Sequence, residues 1–132
     1  APYYFSFSGL KSAFLNYING CQRKGESYSQ ADVAASVQKA LTDVLVANAM
    51  HAVEEYQVDQ FAIAGGVASN SSLRQAMKEA CEECGVKFYY PSPVYSTDNA
   101  AMTGVAAYYE YSNVVRSGWD LNAVPNLKLG ER

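Results

Sequence analysis

A chain of 132 residues that is 49% hydrophobic and 17% charged suits one domain with a single core. That composition excludes a disordered acidic or basic tail, because it buries enough apolar surface to offset chain entropy. The net charge is −3 and the cations are scattered apart from Lys11 and the Arg23-Lys24 pair, so no basic stripe exists to neutralise a phosphate backbone, and any RNA must be held mostly by other surfaces.

No run of about eighteen apolar residues is present to span a bilayer, so no membrane partner is expected. Three cysteines, an odd number in a chain that needs no staples, fit a reducing, cytoplasmic setting. The sequence opens Ala1-Pro2 without an initiator Met and runs at once into Tyr3-Tyr4-Phe5, the expectation for a cut inside a longer protein.

In chain order, Leu10, Ala13, Phe14, Tyr17 and Ile18 fall on one face of a helix predicted from about Gly9 to Ile18, which Gly20 is expected to end. Residues 21–28 then read as a polar loop around Gly25. Ser29-Gln-Ala-Asp32 is a capping-box-like start, and no Pro or Gly interrupts the helix predicted from there to about Tyr56. Its apolar stripe is carried by Val33, Val37, Leu41, Val44 and Ala52. His51, the single histidine, falls on that stripe and reads as a packed side chain, with no His or Cys at ligand spacing.

Phe61-Ala-Ile-Ala64 is a short apolar run with the pattern of a parallel strand covered on both faces, and Gly65-Gly66 stops it. Leu73, Ala76, Met77, Ala80, Cys81 and Cys84 then mark a one-sided helix, with Gly85 as its left-handed terminator. Val86–Tyr90 reads as a second strand closed by Pro91 and Pro93. Strand, helix and strand within about thirty residues make a βαβ unit with parallel strands.

A last helix is predicted to begin near Thr97-Asp98-Asn99 and to turn Met102, Val105, Ala106 and Tyr109 inward. Residues 114–132, with Trp119 and Pro125, show no period and read as an extended tail to an α/β core over 1–113. Two strands are too few to complete a sheet, so an open edge is expected, and with it pairing to a second copy.

Chemistry concentrates at two places. Ala64-Gly-Gly-Val-Ala-Ser-Asn70 puts a glycine pair between a strand and a helix start, where backbone N–H groups and the helix dipole can meet a phosphate. The plainer reading is a tight turn with Asn70 as N-cap. Asp98, in Thr97-Asp98-Asn99 directly before a helix, taken alone reads as part of a capping cluster. Ligands of parallel sheets collect at the carboxyl ends of strands, however, and both turns leave that edge, which predicts that Asn70 and Asp98 face one ligand. Cys81-x-x-Cys84 lacks the second ligand pair of a structural zinc site, and both cysteines lie on an apolar stripe, where free Cys acts as a small hydrophobe. No nucleophile elbow and no HExxH occur.

Phe5-Ser-Phe-Ser-Gly-Leu-Lys11, Ala64-Gly-Gly-Val-Ala-Ser-Asn70 with Leu73-Arg74, and Thr97-Asp-Asn-Ala-Ala-Met102 together resemble the carboxyl-terminal half of the TsaD family. That family comprises the tRNA threonylcarbamoyltransferases once described as glycoproteases. The resemblance covers all but the last fifteen or so residues. It implies most of the second lobe of an actin-like ATPase fold, the RNase-H-like type shared with sugar kinases and Hsp70.

The activity implied is transfer of threonylcarbamoyl from threonylcarbamoyl-adenylate to N6 of the adenosine beside the anticodon. By motif match, Asp98 would ligate one divalent metal, iron or zinc. Asn70 would contact ATP, ADP or the adenylate, and Gly65-Gly66 would line the phosphate. Such a metal would polarise the carbamoyl carbonyl while helix-end amides hold the departing phosphate.

TsaB-like and TsaE-like proteins would be partners. The family's His-x-x-x-His metal motif and its adenosine-gripping Asp-Gly segment have no counterpart here, so this chain alone is expected to bind metal weakly and to be inactive. The alternatives are a non-catalytic TsaB-like scaffold, which has no need of Asp98 or the glycine turn, and a small-molecule kinase of the same superfold.

Overall fold

The computed structural model describes residues 3–113 and 116–128. Among them, the elements follow in the order α1 (Phe7–Lys24), α2 (Gln30–Tyr56), β1 (Gln60–Ala62), α3 (Ser71–Glu83), β2 (Lys87–Tyr89) and α4 (Ala100–Ser112). Short 3-10 turns occupy Gly66–Ser69 and Pro93–Tyr95. The chain divides into two compact units, Ala1–Thr97 and Asp98–Arg132. No described helix is long and apolar enough to cross a membrane.

Helix α1 starts on Ser6, whose hydroxyl accepts the Gly9 N–H at 2.9 Å. It does not stop at Gly20, and residues 21–24 are helix rather than loop. An interior glycine costs a helix only about 1 kcal/mol relative to alanine. Against that small penalty, the adjacent Cys21 is buried, and Gly25 (φ 68°) provides a left-handed end whose N–H reaches the Cys21 and Gln22 carbonyls.

Helix α2 opens as the capping signal requires, with the Ser29 hydroxyl accepting the Asp32 N–H at 3.2 Å. Its inward face over the second half is Leu45, Val46, Ala49 and Met50, which pack against the core. Val44 is 39% exposed instead of lying on the buried stripe. His51 also departs from the sequence expectation: it is exposed, with Nε2 3.8 Å from Glu55 Oε2 and its ring 5.5 Å from that of Tyr3. Val33, Val37, Leu41 and Ala52 of the expected stripe are half-buried, and beside Val44 it is Leu45 and Val46 that pack against the core.

The core is built on α3. Leu73, Met77 and Cys81 are buried, with Phe61, Ile63, Val86 and Phe88 packed on them from the sheet. Gly85 takes φ 70°, and the Val86 N–H donates to the Cys81 carbonyl at 2.8 Å, ending the helix as its sequence predicted. Cys84 is exposed, so only one cysteine of the Cys81/Cys84 pair lies on the buried stripe.

Strands β1 and β2 are parallel, with Gln60 opposite Lys87, Phe61 opposite Phe88 and Ala62 opposite Tyr89. The Phe61 and Phe88 rings stack with centroids 6.3 Å apart. Burial alternates along both strands rather than covering both faces. Side chains of a strand point to opposite faces in turn, and α3 covers one face alone.

In the second unit, Asn99 is the N-cap of α4, its side-chain oxygen accepting the Met102 N–H at 2.9 Å. The apolar side chains of α4 are not inward. Met102, Val105 and Tyr109 are 55%, 57% and 63% exposed, and Ala106 is exposed with them. Of the tail over 114–132, residues 116–128 are described and contain no helix or strand; the remainder lies outside the described residues.

Candidate functional site

The turn that leaves β1 is made by two glycines with different duties. Gly65 has φ 85° and ψ 176°, a region that is essentially closed to residues with a Cβ. Gly66 has no positive φ, and a Cβ there would meet only the Thr97 methyl at 4.0 Å, an ordinary contact. Of the two glycines, the backbone requires Gly65 alone.

From Gly65 the chain tightens. The Ala68 N–H donates to the Gly65 carbonyl at 3.1 Å and the Asn70 N–H to the Val67 carbonyl at 3.0 Å. Ala68 is 2% exposed and pins the turn to the core, while Gly65, Gly66 and Val67 stay open to solvent. Asn70 then caps α3, its Oδ1 accepting the Leu73 N–H at 3.1 Å. Gln38 of α2 donates to the Ser72 hydroxyl at 2.6 Å, which ties the first turn of α3 to the helix beside it.

The cap explains how one residue can serve two purposes. Capping consumes the side-chain oxygen of Asn70 and fixes which end is the amide, leaving two N–H donors that have no part in the cap. Beside the turn lies an open cleft of 430 Å³ whose lining includes Phe7, Phe61, Ile63, Leu73 and Met77 together with Gly65 and Gly66. The site therefore combines an apolar wall with the positive end of a 13-residue helix.

Asp98 opens the second unit and is exposed. Capping of α4 falls to Asn99, so the helix start makes no use of the Asp98 carboxylate as its N-cap. Among the described residues, no group of three His, Cys, Asp or Glu side chains comes together in a way that could hold a metal ion. That holds also for the 780 Å³ cleft around His51, Glu54, Asp59 and Cys84. Burial and the neighbouring Cys84 push the Cys81 thiol above its ordinary value, which keeps it protonated and a poor metal ligand or nucleophile.

One residue of the site carries a contact that sequence reasoning left without a role. The Arg74 guanidinium donates to the Ser69 carbonyl at 2.8 Å and lies 5.4 Å from the centroid of the Tyr90 ring. A cation four residues after an N-cap asparagine was the available signal, but the carbonyl it serves becomes evident only once the turn is built.

The family model for tRNA N6-adenosine threonylcarbamoyltransferase, TsaD, matches residues 1–105. Proteins carrying that same name are similar to the chain in Clostridium botulinum strain Hall (55% identical over 128 residues), Clostridium novyi strain NT (55%) and Clostridium perfringens strain SM101 (52%). In each case the match takes in 97% of this chain and 38% of the relative. The chain thus spans little more than a third of the length of the curated relatives it matches, and by that match it belongs to the TsaD family.

Proposed function

We propose that this chain forms part of a cytoplasmic enzyme that moves the threonylcarbamoyl group from threonylcarbamoyl-adenylate to N6 of the adenosine next to the anticodon of tRNA. The observation that carries the reading is the Gly65–Asn70 turn: solvent-open glycines at the amino end of α3, with an apolar cleft alongside. The relatives bearing the transferase name support it. Three free cysteines agree with a reducing compartment.

In this reading the fold is the second lobe of an actin-like ATPase, supported by a parallel strand pair joined through α3. ATP, ADP or the adenylate binds with its phosphate at Gly65-Gly66, where the helix end stabilises negative charge as the AMP phosphate departs. The Asn70 amide N–H groups orient the nucleotide while its oxygen keeps α3 capped.

Iron or zinc does not fit the described residues alone, because Asp98 is one donor and a retained metal needs about three protein ligands. Asp98 serves as one ligand of a metal whose other donors come from the portion of the relatives that this chain does not span. The tRNA, with TsaB-like and TsaE-like proteins, completes the assembly. In isolation a second copy pairs with the sheet, whose Tyr89 is 51% exposed; a strictly monomeric chain by light scattering at high concentration would count against that.

The test is a chimera in which this chain replaces the matched 128 residues of the C. botulinum relative, assayed for transfer from preformed threonylcarbamoyl-adenylate into tRNA. The chimera is expected to be active, and Asn70→Ala or Asp98→Ala within it to lose about a hundredfold or more. Full activity with Asp98→Ala, or an inactive chimera that folds and binds tRNA, would sink the assignment.

A further inference from the structure

We infer that Arg74 is a positioning residue for the nucleotide-facing turn, clamping Ser69 and Asn70 to the end of β2 through the Tyr90 ring; this rests on the nucleotide reading of that turn. The need for a clamp follows from the cap itself. In a regular helix the Leu73 N–H would reach back four residues to the Ser69 carbonyl, but Asn70 Oδ1 takes that donor at 3.1 Å. The Ser69 carbonyl receives the Arg74 guanidinium instead, at 2.8 Å.

The same guanidinium lies 5.4 Å from the Tyr90 centroid, and its Nε is buried without a hydrogen-bond partner. A buried, unpaired N–H on a cation is costly, so the group is held there by what its two ends gain: a charge-assisted bond to Ser69 and a ring face at Tyr90. Tyr90 follows directly on β2 (Lys87–Tyr89), and Ser69 ends the 3-10 turn after β1. Arg74 thereby couples the turn leaving one strand to the carboxyl end of the other. A planar fork can bond edge-on while presenting its face to a ring, whereas an ammonium is a compact point charge without that geometry.

Backbone amide exchange by NMR, with ADP titration of the chimera described above as a second readout, separates the possibilities. In Arg74→Gln, exchange at Ala68 and Asn70 should quicken about tenfold while Phe61 and Phe88 are unchanged, and ADP affinity should fall about tenfold. Arg74→Lys should not restore either quantity. Tyr90→Leu should reproduce the exchange effect at about threefold and Tyr90→Phe should not, so the ring's part is readable even if an Arg74 variant fails to fold.

Unchanged exchange at Ala68 and Asn70 in Arg74→Gln and in Tyr90→Leu overturns the clamp. An absence of ADP-induced shifts at Gly65–Asn70 in the otherwise unaltered chimera with the C. botulinum relative overturns instead the nucleotide reading, and with it the part of Arg74 in binding.

Discussion

Helices α3 and α4 are each 13 residues long and each begins on an asparagine whose side-chain oxygen accepts an N–H three residues on, yet one is the centre of the core and the other buries nothing. Leu73, Met77 and Cys81 of α3 are 4%, 2% and 0% exposed, whereas no residue of α4 is buried. Caps and propensity are enough to write a helix. Burial needs a surface on the other side, which α2 and the strand pair give to α3.

The widest test of that contrast is truncation of one apolar side chain in each helix. Leu73→Ala should cost about 2–5 kcal/mol in urea unfolding, by lost transfer energy plus the cavity left behind. Val105→Ala, at a position 57% exposed, should change stability by less than about 0.5 kcal/mol. Equal losses would erase the distinction between the two helices.

The next effect separates the two glycines. Gly65→Ala places a Cβ at φ 85° and should cost about 1–3 kcal/mol, while Gly66→Ala meets only the Thr97 methyl and should stay within about 0.5 kcal/mol. Thermal melting of the two variants is sufficient, and a reversed order would show that the turn is held differently.

Smaller still is the cap itself. Asn70→Ala and Asn99→Ala should each lose about 1 kcal/mol, read as fraying of α3 or α4 in amide exchange, and Asp98→Ala should leave the start of α4 as it is. Fraying of α4 in Asp98→Ala would return that carboxylate to a capping role.

The smallest effect concerns the cysteines. Iodoacetamide followed by mass spectrometry should label Cys84 first and Cys81 only on unfolding. Because burial raises the Cys81 thiol in the folded state, the unfolded chain releases that proton at lower pH than the folded one does. The contribution is complete below the ordinary thiol value and is lost as pH rises through the raised one, so alkaline titration should weaken the parent more than Cys81→Ala.

The strand-helix-strand unit, its parallel pairing, the Ser29 cap and the Gly85 terminator were all legible because each rests on a residue type that does one thing well. The misreadings share a cause. Gly20 looked like a stop because interior glycine is unfavourable, but a left-handed end at Gly25 with two carbonyl acceptors outweighs a penalty of about 1 kcal/mol.

Met102, Val105 and Tyr109 fall at helical spacing, and spacing says which residues share a face without saying that anything covers it. Ala62 and Ala64 looked buried because they are apolar; burial on the second face of a sheet depends on a layer that no local pattern encodes. Among functional residues, the two glycines and Asn70 of the turn, and separately Asp98, were visible as candidates. Arg74 had no role in that reading, since its partner is a carbonyl, which every residue has.

The register of the strand pair limits what can be added to it. Phe61 and Phe88 lie opposite one another on the face that α3 covers, and Gln60 and Lys87 lie opposite one another on the bare face. Sliding β1 by one residue would bring Gln60 or Ala62 to that face in place of Phe61, and sliding β2 would bring Lys87 or Tyr89 in place of Phe88. The pair is therefore a template with a fixed phase: any further strand, from this polypeptide or another, must bring its oily residues up in step with those two rings or be refused.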